Sequence, residues 1–300
     1  MQLLSDDSLP SDNPVALFPL EVNNPLTEGN EVIYLMEPPD APLGEICRRL
    51  VDGSYKRPYI VDDGESRSLH FDLRYVQSSM HMDDPTRLRL RYTQKMMGFL
   101  LFGETPRQIT VIGLGGGSLA KYCYRQLPNA DITVVEIDPY VVALREHFMV
   151  PADDVRFRIE VDDGLHHLAV CSTEIDVLLV DAYDSKGVAR SIASAAFILH
   201  AFHRLGPNGI FIMNLTGSLD RYEQLILRVK KRFNRHVLVI PVGADGNSIL
   251  YAFKDAELVP DWSAIRICAR AMNKSTAMDY FFMAQLLEHS WKGIEPNTRN

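Results

Sequence analysis

The chain lacks most of what would tie it to an oxidising or membranous setting. Its 300 residues hold four cysteines, Cys47, Cys123, Cys171 and Cys268. They are scattered, with no C-x-x-C pair, which excludes a zinc ribbon or a disulfide frame and predicts reduced, buried thiols. No long apolar run is present: the longest, Met96 to Phe102, falls far short of the about 20 residues that a spanning helix needs. The start, Met1-Gln-Leu-Leu-Ser-Asp-Asp, is acidic and has no apolar core of the kind a secretory leader carries. These absences together predict a cytoplasmic protein without membrane contact. Positive charge is also in short supply. The net charge is −8 and no basic stripe interrupts it, so nucleic acid is not an expected partner. Repeats and low-complexity tracts are missing too. What is present, 46% hydrophobic and 23% charged residues, is the composition of an ordinary globular chain with room for a sizeable core.

Two regions differ in pattern. Residues 1 to about 30 are rich in Pro, Asn, Asp and Ser and read as loop. Strand-like pieces follow at 31–36, 58–61 and 68–76, with Asp62-Asp-Gly-Glu65 as a hairpin turn between the last two. Residues 92–102 read as a helix leading onward. From Arg107 strands alternate with helices: strands at 109–113, 131–136, 155–160, 175–180 and 209–214, helices at 118–127, 139–149, 164–170, 191–205 and 218–233. Such alternation predicts a parallel, doubly wound sheet. Val237–Ile240 and Ser248–Phe253 are separated only by a loop and predict an antiparallel hairpin on the sheet edge. One or two closing helices are expected over 261–292. The expected organisation is an N-terminal β region with its linker helix over 1–105 and a Rossmann-like domain over 106–300.

The most informative segment is Ile109-Thr-Val-Ile-Gly-Leu-Gly-Gly-Gly-Ser118. A β-branched run opens into a glycine loop in which Gly113, Gly115 and Gly117 let the backbone come close to a ligand. Glu136 follows Gly113 at about the 20-residue interval expected of a carboxylate that binds ribose hydroxyls. Position 118 is Ser, so the third glycine of the dinucleotide fingerprint is missing. No lysine follows, so the loop is not a phosphate-cradling P-loop. S-adenosylmethionine, which has no pyrophosphate, fits this loop better than NAD. Acidic residues then fall just after successive strands: Glu136 with Asp138, Asp162 with Asp163, Asp181 and Asp184. Any one of them could be a helix N-cap. As a set they belong to one edge of a doubly wound sheet, where ligands bind. Ligand chemistry assigns Glu136 to the ribose, Asp163 to the adenine amino group, and Asp181 with Asp184 to the reactive end. His166-His167 point apart on a helix, and no metal is expected. Met80, Met82, Met96 and Met97 are expected to pack between the two regions.

From Leu69 to Phe253 the chain resembles the spermidine synthase (polyamine aminopropyltransferase) family. The carriers are the Asp72…Gln77 segment, Tyr92, the glycine loop, Val135-Glu-Ile-Asp138, Asp163-Gly164 and Asp181-x-x-Asp184. The segment Gln77-Ser-Ser-Met-His-Met-Asp-Asp-Pro85 is similar to a bacterial branch of that family. The resemblance implies a small N-terminal β domain on an α/β, Rossmann-like sheet of the S-adenosylmethionine-dependent methyltransferase type, working as a homodimer. It implies a transferase of polyamine biosynthesis that moves an aminopropyl group from decarboxylated S-adenosylmethionine to a small-molecule amine. Asp181 would then be the base, Asp184 would orient ammonium groups, Tyr92 would line the amine channel, and Gln77 would lie with the donor.

Three departures stand out. Gly116 occupies the place of the family's loop aspartate, which holds the ammonium tail of the decarboxylated donor. A charge-assisted bond of that kind contributes roughly 1.5–3 kcal/mol. The loop Pro241–Gly246 has no counterpart of the family's late substrate tyrosine. The stretch after Gln77 is longer and lacks the Asp-Glu that usually precedes Tyr92. The expectation is an intact adenosine half and a diverged tail and acceptor half. A methyltransferase using intact S-adenosylmethionine, or a catalytically silent homologue, are the alternatives.

Overall fold

The computed structural model describes residues 17–24, 29–103, 105–184, 187–234, 236–243 and 246–294. The N-terminal elements are β1 (Phe18–Asn24), β2 (Gly29–Leu35), α1 (Leu43–Val51), β3 (Tyr59–Asp62), β4 (Ser66–His70) and β5 (Val76–His81). The five strands form one antiparallel sheet in chain order. The turn at Asp62 is built as expected: Asp62 Oδ1 accepts from the Gly64 N–H at 2.8 Å and Asp63 Oδ1 from the Ser66 N–H at 2.6 Å. Two expectations change. Residues 18–24 are a strand, not loop, and Phe18 and Leu20 lie on the small core of Ile33, Leu35, Ile46 and Leu50. Residues 68–76 are not one strand. Asp72 Oδ1 accepts from the N–H groups of Arg74 and Tyr75 at 2.7 and 3.1 Å, and this side-chain-to-backbone turn folds the chain over between β4 and β5.

The second sheet begins after α2 (Arg91–Met96) and a 3-10 turn over Met97–Leu101. Its elements are β6 (Gln108–Ile112), α3 (Ser118–Gln126), β7 (Asp131–Glu136), α4 (Pro139–Ala143), β8 (Phe157–Val161), α5 (Gly164–Val170) and β9 (Ile175–Val180). The ribbon β10 (Tyr183–Asp184) and β11 (Gly187–Val188) follows. Then come α6 (Ala195–Arg204), β12 (Leu205–Thr216), α7 (Glu223–Arg232), β13 (Val237–Pro241), β14 (Asn247–Phe253), α8 (Trp262–Ser275) and α9 (Tyr280–Lys292). The seven strands run β13-β14-β12-β9-β6-β7-β8. β12, β9, β6, β7 and β8 are mutually parallel, and β14 is antiparallel to both β12 and β13. The expected terminal hairpin is therefore present, with β14 inserted beside β12. The expected helix over 139–149 is helical only to Ala143. Beyond it the N–H groups of Leu144 and Arg145 bond three residues back, to Val141 and Val142, and the tightened turn ends the helix.

Successive strand residues point to opposite faces, and here both faces are buried. Val177 and Leu179 of β9 face the core shared with α3, α8 and α9, while Leu178 and Val180 face the core shared with α5, α6 and α7. This is why the parallel strands read as continuous apolar runs. The two sheets are also tied together. Arg67 of β4 donates to the His147 carbonyl at 2.6 Å. Met80, Met96 and Met97 are fully buried in the shared core, with Met82 packed against it, as expected of them. Among them sits Lys121, only 2% exposed. Its Nζ donates to the Phe148 carbonyl at 2.6 Å and lies 3.0 Å from Met80 Sδ. Burial pushes its ammonium down to about 7, because a buried charge without a carboxylate partner is disfavoured.

Lys121 generates a prediction. The unfolded chain holds this proton up to its ordinary value of 10.5, whereas the folded chain releases it near 7. Between those values the unfolded state binds more protons, so stability rises with pH. Urea unfolding at pH 7 and pH 9.5 is expected to show a higher midpoint at the higher pH, and Lys121→Met is expected to diminish that rise. An equal rise in the variant would remove Lys121 as its source.

Candidate active site

The site forms where β6 and β9 run side by side although their chain positions are far apart. Asp181, the first residue after β9, donates its N–H to the Ile112 carbonyl at 2.9 Å. A Cβ on Gly113 would stand 2.3 Å from the Asp181 carbonyl oxygen, and Gly113 has φ of 97°. Only glycine meets both conditions. Gly115 and Gly117 continue the loop, Gly115 against Ser78 of β5 and Gly117 at the N-terminus of α3. The loop is also held from the β7 side. Glu136 Oε2 accepts from the Leu114 N–H at 2.8 Å and Oε1 from the Asp138 N–H at 2.9 Å. Burial raises the pKa of this carboxyl, and those two bonds oppose the rise. Each oxygen retains a lone pair, so a ribose hydroxyl can still be accepted there.

The acidic residues serve differently. Asp163 is the N-cap of α5, its Oδ1 accepting from the N–H groups of Leu165 and His166 at 2.8 and 3.2 Å. Asp138 caps α4 through the Tyr140 N–H at 2.8 Å. Capping thus accounts for one oxygen of each. Asp162 pairs with His166 Nδ1 at 2.8 Å, and His167 Nδ1 lies 2.8 Å from Glu160, so the two histidines do face apart. Asp184 lies in β10, its backbone opposite Gly187. Its side chain is outside the described residues. Gln77 is half-buried on β5, next to Ser78.

Asp181 is the centre of the crevice. Tyr92 of α2 donates its hydroxyl to Asp181 Oδ2 at 2.9 Å, and Asn214 of β12 donates Nδ2 to Oδ1 at 2.9 Å. Burial raises the pKa of this carboxyl above the usual carboxylate range, and the two donors pull it back. The Tyr92 hydroxyl is itself pushed well up, by burial and then by the adjacent Asp181 charge. Tyr183 locks the following turn: its hydroxyl donates to the Asn214 carbonyl and accepts from the Thr216 N–H at 3.0 Å. Asn214 and Tyr183 were not among the residues singled out by sequence. Asn214 interrupts the apolar run of β12 with a polar side chain, and that interruption is the local signal.

The place of Gly116 is crowded. A Cβ there would lie 2.8 Å from Ser78 Oγ and 2.9 Å from the Phe148 ring. Ser78 Oγ stands 3.4 Å from Ser118 Oγ. The loop therefore lacks a carboxylate and also lacks room for one. A separate hollow lined by Arg107, Asn129 and Arg156 opens at the N-terminal ends of the strands, the opposite edge of the sheet.

The strand order, the antiparallel β14 and the glycine loop after β6 define the methyltransferase type of Rossmann-like fold. A spermine/spermidine synthase domain matches residues 89–242. A polyamine aminopropyltransferase of Chromobacterium violaceum is 35% identical over 208 residues, covering 69% of this chain and 80% of that protein. An eEF1A lysine and N-terminal methyltransferase homolog of Drosophila melanogaster is 30% identical over 162 residues, covering 51% of this chain and 24% of that protein. In structure, a probable spermidine synthase from Corynebacterium glutamicum superposes with a TM-score of 0.60 at 20% identity, over 71% of this chain and 84% of its own. The chain belongs to the spermine/spermidine synthase family, and it is a transferase.

Restoring the missing acid tests the crowding. Gly116→Asp is expected to lower stability by about 1–3 kcal/mol, the usual cost of overpacking, read as a lower urea midpoint. An unchanged midpoint would show that Phe148 and Ser78 yield readily.

Proposed function

We propose that the chain moves an aminopropyl group from decarboxylated S-adenosylmethionine to a small polyamine-class amine, with Asp181 as the base. The observation that carries this is the half-buried Asp181 carboxylate, fixed by two side-chain donors at the edge of the glycine loop. The amine lone pair attacks the carbon beside the sulfonium. That carbon–sulfur bond breaks, its electron pair stays on sulfur, and a neutral thioether leaves without help from an acid. The new carbon–nitrogen bond makes the nitrogen cationic, and Asp181 takes the proton. A carboxyl raised by burial is a stronger base than an exposed one. Glu136 and the loop Gly113–Gly117 would receive the ribose, Asp163 the adenine amino group, and Gln77 the donor's flank. Tyr92 would line the amine channel, and Asp184 would orient the far ammonium. A homodimer is the assembly we expect.

One observation favours a second reading, methyl transfer from intact S-adenosylmethionine. Phe148 and Ser78 fill the space beside Gly116, so no loop carboxylate is there to repel the carboxylate of the intact donor. The Drosophila relative, by its name, methylates lysine and N-terminal amines. Both readings keep an amine nitrogen at Asp181 and differ in which sulfonium carbon is transferred.

Incubation with each donor and with putrescine or spermidine, followed by product mass, separates them. A gain of one aminopropyl mass is expected from the first reading and a gain of one methyl mass from the second, while no gain refutes both. Asp181→Asn is expected to cost about 10²-fold or more in kcat; full turnover would remove Asp181 as base. Tyr92→Phe deletes a bond that holds the Asp181 pKa down. The acidic limb of its kcat/KM profile is therefore expected at higher pH than in the parent enzyme, and an unmoved limb would contradict the assignment.

A further inference from the structure

Asn214 carries an unused acceptor at the reactive centre. The residue is only 3% exposed. Its main-chain carbonyl is held by the Tyr183 hydroxyl, and its carboxamide is held by the Nδ2 bond to Asp181 at 2.9 Å. The opposite orientation of the amide would set Oδ1 against a carboxylate oxygen, acceptor facing acceptor, so the bond fixes which atom is which. Oδ1 is then buried with no hydrogen-bond partner among the described residues. Folded proteins leave few buried acceptors unpaired, and those that remain call for an explanation. Oδ1 and Nδ2 share one carbon, so this acceptor lies beside the Asp181 carboxylate.

From this juxtaposition we infer that Asn214 Oδ1 receives an N–H of the acceptor amine and, with Asp181, makes the site select a primary amine nitrogen. The inference rests on the proposed amine chemistry at Asp181. A neutral primary amine offers two N–H groups and one lone pair. One N–H points to Asp181 and the second to Asn214 Oδ1, and this leaves the lone pair directed at the sulfonium carbon. When the carbon–nitrogen bond forms, the proton passes to Asp181, because a neutral carboxamide oxygen is too weak a base to keep it. A neutral secondary amine has a single N–H. Bonded to Asp181, it leaves Oδ1 unpaired in the reactive complex, and a site built around a polar partner rejects the analogue that lacks it.

Two variants separate this role from simple support of Asp181. Asn214→Leu keeps the shape and removes both polar atoms. Asn214→Asp keeps an oxygen at each position. Beside Asp181 the two carboxyls share a proton, so at pH 6.5 the new residue can still donate to Asp181 and accept from an amine. The readouts are calorimetric affinity for putrescine on protein saturated with S-adenosylhomocysteine, and kcat/KM for putrescine against N,N′-dimethylputrescine. Asn214→Leu is expected to weaken putrescine by about tenfold or more, with S-adenosylhomocysteine affinity held within about twofold as proof of a folded site. Asn214→Asp is expected to stay within about threefold of the parent at pH 6.5 and to weaken as pH rises. The parent should favour the primary diamine by about tenfold or more. The inference is overturned if Asn214→Leu binds putrescine as the parent does, if both variants lose it equally at pH 6.5, if the parent binds no amine, or if the secondary diamine reacts as well as the primary one. Should Asn214-dependent putrescine binding hold while neither donor is turned over, the proposed function falls and the assignment of Oδ1 stands on the affinities.

Discussion

The structure depends on the close approach of the Asp181 main chain to Gly113. β6 and β9 are sheet neighbours, yet the chain leaves β6 toward β7 and β8 and returns to β9 only afterward. Connections that depart in opposite directions leave a crevice at the carboxyl ends of the two strands. Its floor can close only if nothing projects from residue 113, since a Cβ there would sit 2.3 Å from the Asp181 carbonyl oxygen. With that contact made, the chain after β9 lies on the glycine loop and the Asp181 side chain stands at the loop's edge. Glu136 pins the loop from β7 through the Leu114 N–H. Tyr92 from α2 and Asn214 from β12 pin the carboxylate. Segments from across the chain thus converge on a point that a single methyl group would block.

Burial raises the pKa of both Glu136 and Asp181, but the hydrogen bonds around them differ. Glu136 takes main-chain N–H groups on both oxygens, which fixes the loop and makes its charge part of the scaffold. Among the described residues Asp181 takes only side-chain donors. Those can be removed one at a time without unfolding a loop, and they tune the carboxyl rather than build around it. Lys121 is a buried ionisable group on α3, just after the same loop, and among the described residues its neighbours are a carbonyl and a thioether instead of an acid. Its burial ties the N-terminal sheet to α3 without adding a positive charge to the crevice.

What could be read from the sequence was what repeats or stays local. The runs 109–113, 131–136 and 175–180 announce buried strands because both of their faces need apolar residues. The spacing of Gly113 and Glu136 announces that the glycine loop and the end of the next strand meet. Residues whose meaning is tertiary were silent. Asn214 is one polar residue within the apolar run of β12, and nothing nearby in sequence says that its Nδ2 lies 2.9 Å from Asp181 Oδ1. Tyr183 reads as a loop aromatic until its hydroxyl is seen bridging the Asn214 carbonyl and the Thr216 N–H. Over residues 68–76 the β-propensity of the flanks hid the turn that Asp72 makes. Asp163 and Asp138 show the opposite ambiguity. Both were correctly placed at strand ends, and both turn out to cap helices as well.

Gly116 shows how sequence and structure can agree on a position and differ on its meaning. In sequence it is a missing charge, an aspartate replaced by nothing. In the fold it is a missing volume, because Phe148 and Ser78 occupy what a side chain would need. Ser78 belongs to β5 of the N-terminal sheet, whereas Phe148 is carried by the segment after α4 and offers its carbonyl to Lys121. The tail end of the loop is therefore shaped by packing between the two sheets. A loop aspartate cannot be exchanged for glycine here independently of its surroundings, since the N-terminal sheet, the segment after α4 and the glycine loop meet at this one point. Interiors packed to this density transmit a change in one side chain to its neighbours. The space beside Gly116 is accordingly a property of that three-way contact, and a residue of the N-terminal sheet takes part in setting it.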